Sequence, residues 1–183
     1  PGADVTGLEL QPGLAALGAE NARANGLEDR VRILEGDLLA PPEGIAGTAF
    51  DRVMTNPPFQ EAGTHTPPPE AGRALAHGEG AADLAAWLDF CARRVKPRGT
   101  LTVIHRADRV DDLMALLHGR FGGITLVPLW PKAGRPARRI VVTARKGARS
   151  PARLMPGLVL HEADGRFTGE AQAILRDGAA LDL

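Results

Sequence analysis

The chain is poor in cysteine, has no long apolar run and carries no net charge, and each of these lacks removes a class of protein. A single thiol, Cys91, cannot close an internal disulfide, and no Cys/His cluster has zinc-ligand spacing, so no metal is expected. No stretch of about 18 apolar residues could span a bilayer. The first residues, Pro1-Gly2-Ala3-Asp4, show neither an initiator methionine nor a signal-peptide pattern. A soluble cytoplasmic protein is expected, with a monomer as the default and no membrane partner, and the chain is expected to begin inside a longer protein. Its 183 residues require no more than one domain, expected over 1–183.

Acidic residues are missing from one long segment. Between Asp112 and Glu162 there is none, while Arg120, Lys132, Arg135, Arg138, Arg139, Arg145, Lys146, Arg149 and Arg153 all fall there. Totals of 22 basic and 22 acidic residues thus hide a segregated distribution. Such a cationic segment suits a polyanion such as RNA, the bland alternative being a solvated basic face.

What is present is organised around Phe50-Asp51-Arg52-Val53-Met54-Thr55-Asn56-Pro57-Pro58-Phe59. Phe50, Val53 and Met54 predict a short buried strand, and two prolines without N–H groups end it. The residue before a proline is held extended, which sets the Asn56 side-chain carbonyl beside the Pro57 backbone carbonyl, with the Phe59 ring close by. Two acceptors and a flat ring suit an amino group on an sp2 carbon. Hydrogen bonds from its two hydrogens localise its lone pair, and the ring can stack on the planar group and fix the line of attack. Asn56, Pro57, Pro58 and Phe59 are therefore candidate catalytic residues. The alternative is a rigid turn in which Asn56 bonds its own backbone.

Asp4–Leu10 reads as a strand that ends in a carboxylate, Glu9. Gln11-Pro12 then opens a helix, with Leu14, Ala15, Leu17, Ala19 and Ala22 at helical spacing, and Asn25-Gly26 closes it. An acid at a strand's carboxyl end before a helix can hold the two ribose hydroxyls of an adenosine cofactor, or merely cap the helix. Val31–Glu35 is a second strand, followed by Asp37-Leu38, where a carboxylate can accept from an adenine amine while Leu38 packs on the ring; an Asx-type turn is the alternative. Residues 40–49 read as a loop. Residues 60–80, rich in proline and glycine, read as a long substrate loop, with His65, Arg73 and His77 as contacts. Ala81–Val95 reads as an amphipathic helix stopped by Lys96-Pro97-Arg98-Gly99, and Thr100–His105 as the next strand. Arg109–Phe121 reads as a helix ended by Gly122-Gly123. Ile124–Trp130 and Arg138–Ala144 read as a final strand pair whose connection carries Lys132 and Arg135, and 150–183 as a packing tail. His105 reads as structural rather than as a base.

Taken together, Gly7-Leu8-Glu9, Gly36-Asp37-Leu38, Asn56-Pro57-Pro58-Phe59, Pro67 through Leu75, the Lys96–Gly99 turn and Leu158-Val159-Leu160-His161 resemble the Rossmann-like methyltransferases that use S-adenosylmethionine. More narrowly, they resemble the bacterial tRNA1(Val) adenine N6-methyltransferase family. The resemblance implies a three-layer α/β sandwich, its sheet mostly parallel with an antiparallel last strand. It also implies Glu9 and Leu10 at the ribose, Asp37 and Leu38 at the adenine, and Asn56 to Phe59 at the target base. A tRNA partner would be gripped by Arg73, His77, Lys132, Arg135, Arg138 and Arg139. The family's first strand and its Gly-x-Gly turn have no match before Glu9, so the sheet is expected to lack the strand between those ending at Glu9 and Asn56. A glutamine N5-methyltransferase of proteins, a DNA adenine methyltransferase and a catalytically silent RNA-binding remnant are the rival readings.

Overall fold

The computed structural model describes residues 2–58 and 82–181. The expected substrate loop, with His65, Arg73 and His77, and the Phe59 ring lie outside the described residues. The chain divides into two compact units, residues 1–49 with 60–90, and residues 50–59 with 91–183.

In the first unit the order is β1 (Val5–Glu9), α1 (Pro12–Ala24), β2 (Val31–Glu35) and a short α2 (Glu43–Ala46). β1 and β2 form a parallel pair, Val5 opposite Val31 and Glu9 opposite Glu35. Parallel neighbours need a crossover, which α1 supplies. Pro12 suits the first turn because its missing N–H would have no partner there. Ala15 and Ala22 form the buried face of α1, whereas Leu14 and Leu17 are about half exposed. Residues 40–49, read as a loop, contain α2: Pro42 precedes it in extended backbone and Ile45 anchors it, 4% exposed.

The second unit is built on a six-stranded sheet of order β3-β4-β6-β5-β7, with β8 also on β5. Its strands are β3 (Phe50–Thr55), β4 (Val95–Arg106), β5 (Phe121–Lys132), β6 (Arg139–Lys146), β7 (Arg153–Leu154) and β8 (Leu158–His161). The helix α3 (Leu84–Arg94), whose residues 84–90 fall in the first unit, leads into β4, α4 (Val110–Leu117) joins β4 to β5, and α5 (Gly169–Asp177) closes the tail. β3 runs parallel to β4, β6 is antiparallel to both β4 and β5, and β7 and β8 run parallel to β5. Parallel pairings predominate, as expected, and the antiparallel member is the second strand of the predicted pair.

Alternation along β4 puts Leu101, Val103 and His105 inside, opposite Ala144, Val142 and Ile140 of β6, all buried. Each fully buried aliphatic side chain there contributes about 1.5–3 kcal/mol. The tail helix begins on Thr168, whose hydroxyl accepts from the Ala171 N–H at 3.1 Å and donates to the Val159 carbonyl at 2.7 Å, which ties α5 to β8.

Three expectations need correction. β3 is an edge strand rather than a buried one: among the described residues it pairs only with β4, Met54 is 80% exposed, and Phe50 and Val53 are half-buried. Lys96-Pro97-Arg98-Gly99 does not precede β4 but lies inside it, where the register with β3 shifts and Arg98 takes a φ of 66°. β5 starts at Phe121, not Ile124, because the buried Phe121 already pairs with Lys146.

Candidate active site

Two carboxylates stand at the carboxyl ends of adjacent parallel strands in the first unit. Glu9 ends β1, and its Oε1 accepts the Gln11 N–H at 2.9 Å, which orients it at the start of α1. Asp37 follows β2, and its Oδ1 accepts the Leu39 N–H at 2.9 Å in an Asx turn. Both local bonds foreseen as alternatives are thus made, and each consumes one oxygen. Among the described residues Glu9 Oε2 and Asp37 Oδ2 have no partner. The connection is tight: the Gly36 N–H donates to the Glu9 carbonyl at 2.9 Å, and a Cβ on Gly36 would come within 2.7 Å of the Pro42 ring. Glycine at 36 thus lets Pro42 pack against the strand end. Glu9 and Asp37 stand at the carboxyl end of the same parallel pair, each with one oxygen able to accept from a ligand hydroxyl or amine. Leu38 is half-buried beside Asp37, and Leu10 is 52% exposed.

The second unit carries the Asn-Pro-Pro turn at the carboxyl end of β3. Asn56 is exposed, Pro57 and Pro58 are buried, and neither the Asn56 amide nor the Pro57 carbonyl has a partner among the described residues. The self-bonded turn considered as an alternative is therefore not formed among these residues. Two contacts without a sequence signal fix the turn from below. The Thr55 side chain bonds the buried Cys91 thiol, which burial pushes up to about 11 despite that bond. On the other side His105, 2% exposed, directs Nε2 at the Pro58 carbonyl, 3.4 Å away. Burial, chiefly, holds the His105 imidazole below the usual histidine range, and the Arg109 charge adds to this. A neutral ring with its proton on Nε2 donates to Pro58; among the described residues Nδ1 is buried without a hydrogen-bond partner. His105 is thus structural, as expected, and is turned away from acid–base work.

The cationic segment separates into two groups. Lys146 caps α3 with Nζ on the Ala92 and Val95 carbonyls at 2.6 and 2.7 Å, Arg120 donates to the Leu116 carbonyl at 2.6 Å, and Arg153 donates to the Thr125 hydroxyl at 3.1 Å. These three serve the fold. Arg135, Arg138 and Arg139, at the β5–β6 hairpin, are exposed and have no side-chain partner among the described residues. Lys132, also exposed, donates to the Ala163 carbonyl at 2.8 Å. Among the described residues there is no group of three or more potential metal ligands, and no helix is long and apolar enough to cross a membrane.

The chain is similar to proteins of known name. It is 28% identical over 181 residues to a tRNA1(Val) (adenine(37)-N6)-methyltransferase of Dickeya chrysanthemi, an alignment that covers 94% of this chain and 69% of that protein. A protein of the same name from Porphyromonas gingivalis is 33% identical over 115 residues, with 62% of this chain and 44% of the relative covered. In fold, a crystal structure described as a predicted O-methyltransferase from Agrobacterium tumefaciens superposes with a TM-score of 0.76 over 98% of this chain and 80% of its own, at 23% identity. The profile of the N-6 DNA methylase family matches residues 2–109. Because that match takes in more than half of the chain, including both acid-ended strands and the Asn-Pro-Pro turn, the chain belongs to the N-6 DNA methylase family.

Proposed function

We propose that this chain transfers a methyl group from S-adenosylmethionine to the N6 amine of an adenine in tRNA. The observation that carries the reading is the exposed Asn56 amide followed by the Pro57 carbonyl, both without partners among the described residues and buttressed through Thr55 and Pro58. The similarity to relatives named tRNA1(Val) (adenine(37)-N6)-methyltransferase supports adenine in tRNA as the substrate.

S-adenosylmethionine, when bound, supplies an electrophilic methyl on a sulfonium. Glu9 would accept from its ribose hydroxyls and Asp37 from its adenine amine, each through the oxygen left over from its local bond, while Leu10 and Leu38 supply apolar contact. The Asn56 side-chain carbonyl and the Pro57 carbonyl accept the two N6 hydrogens of the target adenine. This draws the nitrogen toward sp3 geometry, frees its lone pair for the methyl carbon and stabilises the positive charge that develops on nitrogen. The methylated amine is strongly acidic, so its proton leaves to water and no protein base is required. An adenine in an unpaired loop is turned out of its stack at a cost of a few kcal/mol or less.

The test is incubation of the chain with labelled donor and, separately, bulk tRNA, duplex DNA and a release factor. Label is expected on tRNA, and Asn56→Ala should reduce it by about 10²–10³-fold, the usual effect of removing one aimed polar group, with melting temperature unchanged because Asn56 is exposed. Label on DNA alone would move the substrate to the class for which the family is named. Label on protein alone, or tRNA binding without donor binding, would overturn the reading.

A further inference from the structure

We infer that the carboxyl edge of the six-stranded sheet is a track for single-stranded RNA, running from the Asn56 turn past the β5–β6 hairpin to a base-stacking position at Phe167. The inference rests on RNA being the substrate and goes on to say where its flanking nucleotides lie. The sheet order places the residues. β3 ends at Asn56. β6, two strands away, begins at Arg139, just after Arg138, and Arg139 stands opposite both Arg106 and Leu129. β5 ends one strand further at Lys132, which is opposite His161 at the end of β8. All these ends lie on one edge, the one that carries Asn56.

The electrostatics of that edge favour a polyanion. Arg135, Arg138 and Arg139 are exposed without ion pairs among the described residues. The nearby acids Asp108 and Asp164 are each held by an arginine, Arg106 and Arg166, and these partners keep both carboxyls below the usual range. Glu162 is exposed at the foot of the turn that bears Arg166. The far end of the row is aromatic. Phe167 stacks on His161 with ring centroids 4.8 Å apart and 23° between planes, yet is 36% exposed. His161 is pinned by Nδ1 to the Pro131 carbonyl at 3.2 Å, and Lys132 grips the Ala163 carbonyl of the same turn. A ring supported on one face, at the same sheet edge as exposed arginines, is what a base needs in order to stack while its phosphates are neutralised. Four strand spacings from β3 to β8, at about 4.8 Å each, span about 19 Å, roughly the length of five stacked nucleotides at about 3.4 Å each.

The experiment measures anisotropy of a dye-labelled, unstructured RNA oligonucleotide bound to the whole chain, across a salt series and without methyl donor. The double variant Arg138→Ala/Arg139→Ala should flatten the slope of log K against log salt by about 0.7 per lost arginine. Phe167→Leu, which keeps an apolar side chain on His161, should weaken binding about tenfold with the slope unchanged, and Phe167→Trp should restore it. Wild-type affinity and slope in the arginine variant, or duplex RNA bound as tightly as the single strand with Phe167→Leu without effect, would overturn the track. The two readings fail separately: tRNA methylated while these variants bind normally removes the track alone, and weakened oligonucleotide binding in a chain that methylates no tRNA removes the proposed activity alone.

Discussion

At His105 two demands meet on one ring. It closes a hydrogen bond to the turn that carries Asn56, and it gives up a partner for Nδ1 to do so. His105→Phe should lower kcat about tenfold with KM little changed, since the Pro58 carbonyl loses its donor and the Asn56 turn its alignment; His105→Gln, which retains an N–H, should recover part of it. Because the folded imidazole titrates below its unfolded value, near 6.5, its contribution to stability is complete above about pH 6.5 and is lost as pH falls through the depressed folded value. Melting temperature against pH should show that acid-side decline in the wild type and a shallower one in His105→Gln. The Cys91 thiol, buried and raised to about 11, should resist thiol reagents at pH 8 in the native chain and react on unfolding. Neither contact could be read from the sequence, because Pro58 and His105, like Thr55 and Cys91, are far apart in the chain and nothing local marks the pairing. The acids and the amide were legible for the opposite reason. Each stands at or just past a strand end, beside a turn residue, where a polar group has no packing role.

Elements show the same division between local and distant causes. β2 was read at its true limits, since Val31–Glu35 is bounded on both sides by turn residues, and the Asn25-Gly26 stop of α1 holds, with Gly26 at a φ of 63°. The exposure of β3 was not legible, because an apolar strand looks alike at the centre and the edge of a sheet. The Lys96–Gly99 segment, with proline and glycine, has the composition of a turn, but pairing with β3 makes it an irregular part of β4. Gly99 permits this by lack of a side chain: a Cβ would meet the Asp51 carbonyl oxygen at 2.8 Å and Val95 Cγ1 at 2.9 Å. Gly99→Ala should therefore destabilise by about 1–3 kcal/mol. Arg98→Gly should stabilise by up to about 1 kcal/mol, since a side chain at positive φ costs about that much. Urea unfolding of the two variants would give shifts of opposite sign.

Over the whole molecule, the segment between Asp112 and Glu162 holds nine cations and no acid, so the rest of the chain bears the balancing negative charge. With a pI near 7.5, solubility at low ionic strength should pass through a minimum close to neutral pH and rise on adding salt. Turbidity across pH and salt would check this, and a flat profile would contradict it. The α/β character and the mostly parallel pairing were legible because strands and helices alternate along much of the sequence. Which cations face solvent was not, since Lys146 and Arg139 look alike until β6 is aligned with its neighbours. That alignment also sets a timetable for synthesis. β3 leans on β4, and β4 in turn on β6, so the Asn56 turn is held by residues made well after it: Cys91 and His105, the latter on a strand that β6 completes. A chain arrested before β6 thus carries the Asn56 amide on an unfinished sheet, and should leave Cys91 open to the thiol reagents that the finished protein excludes.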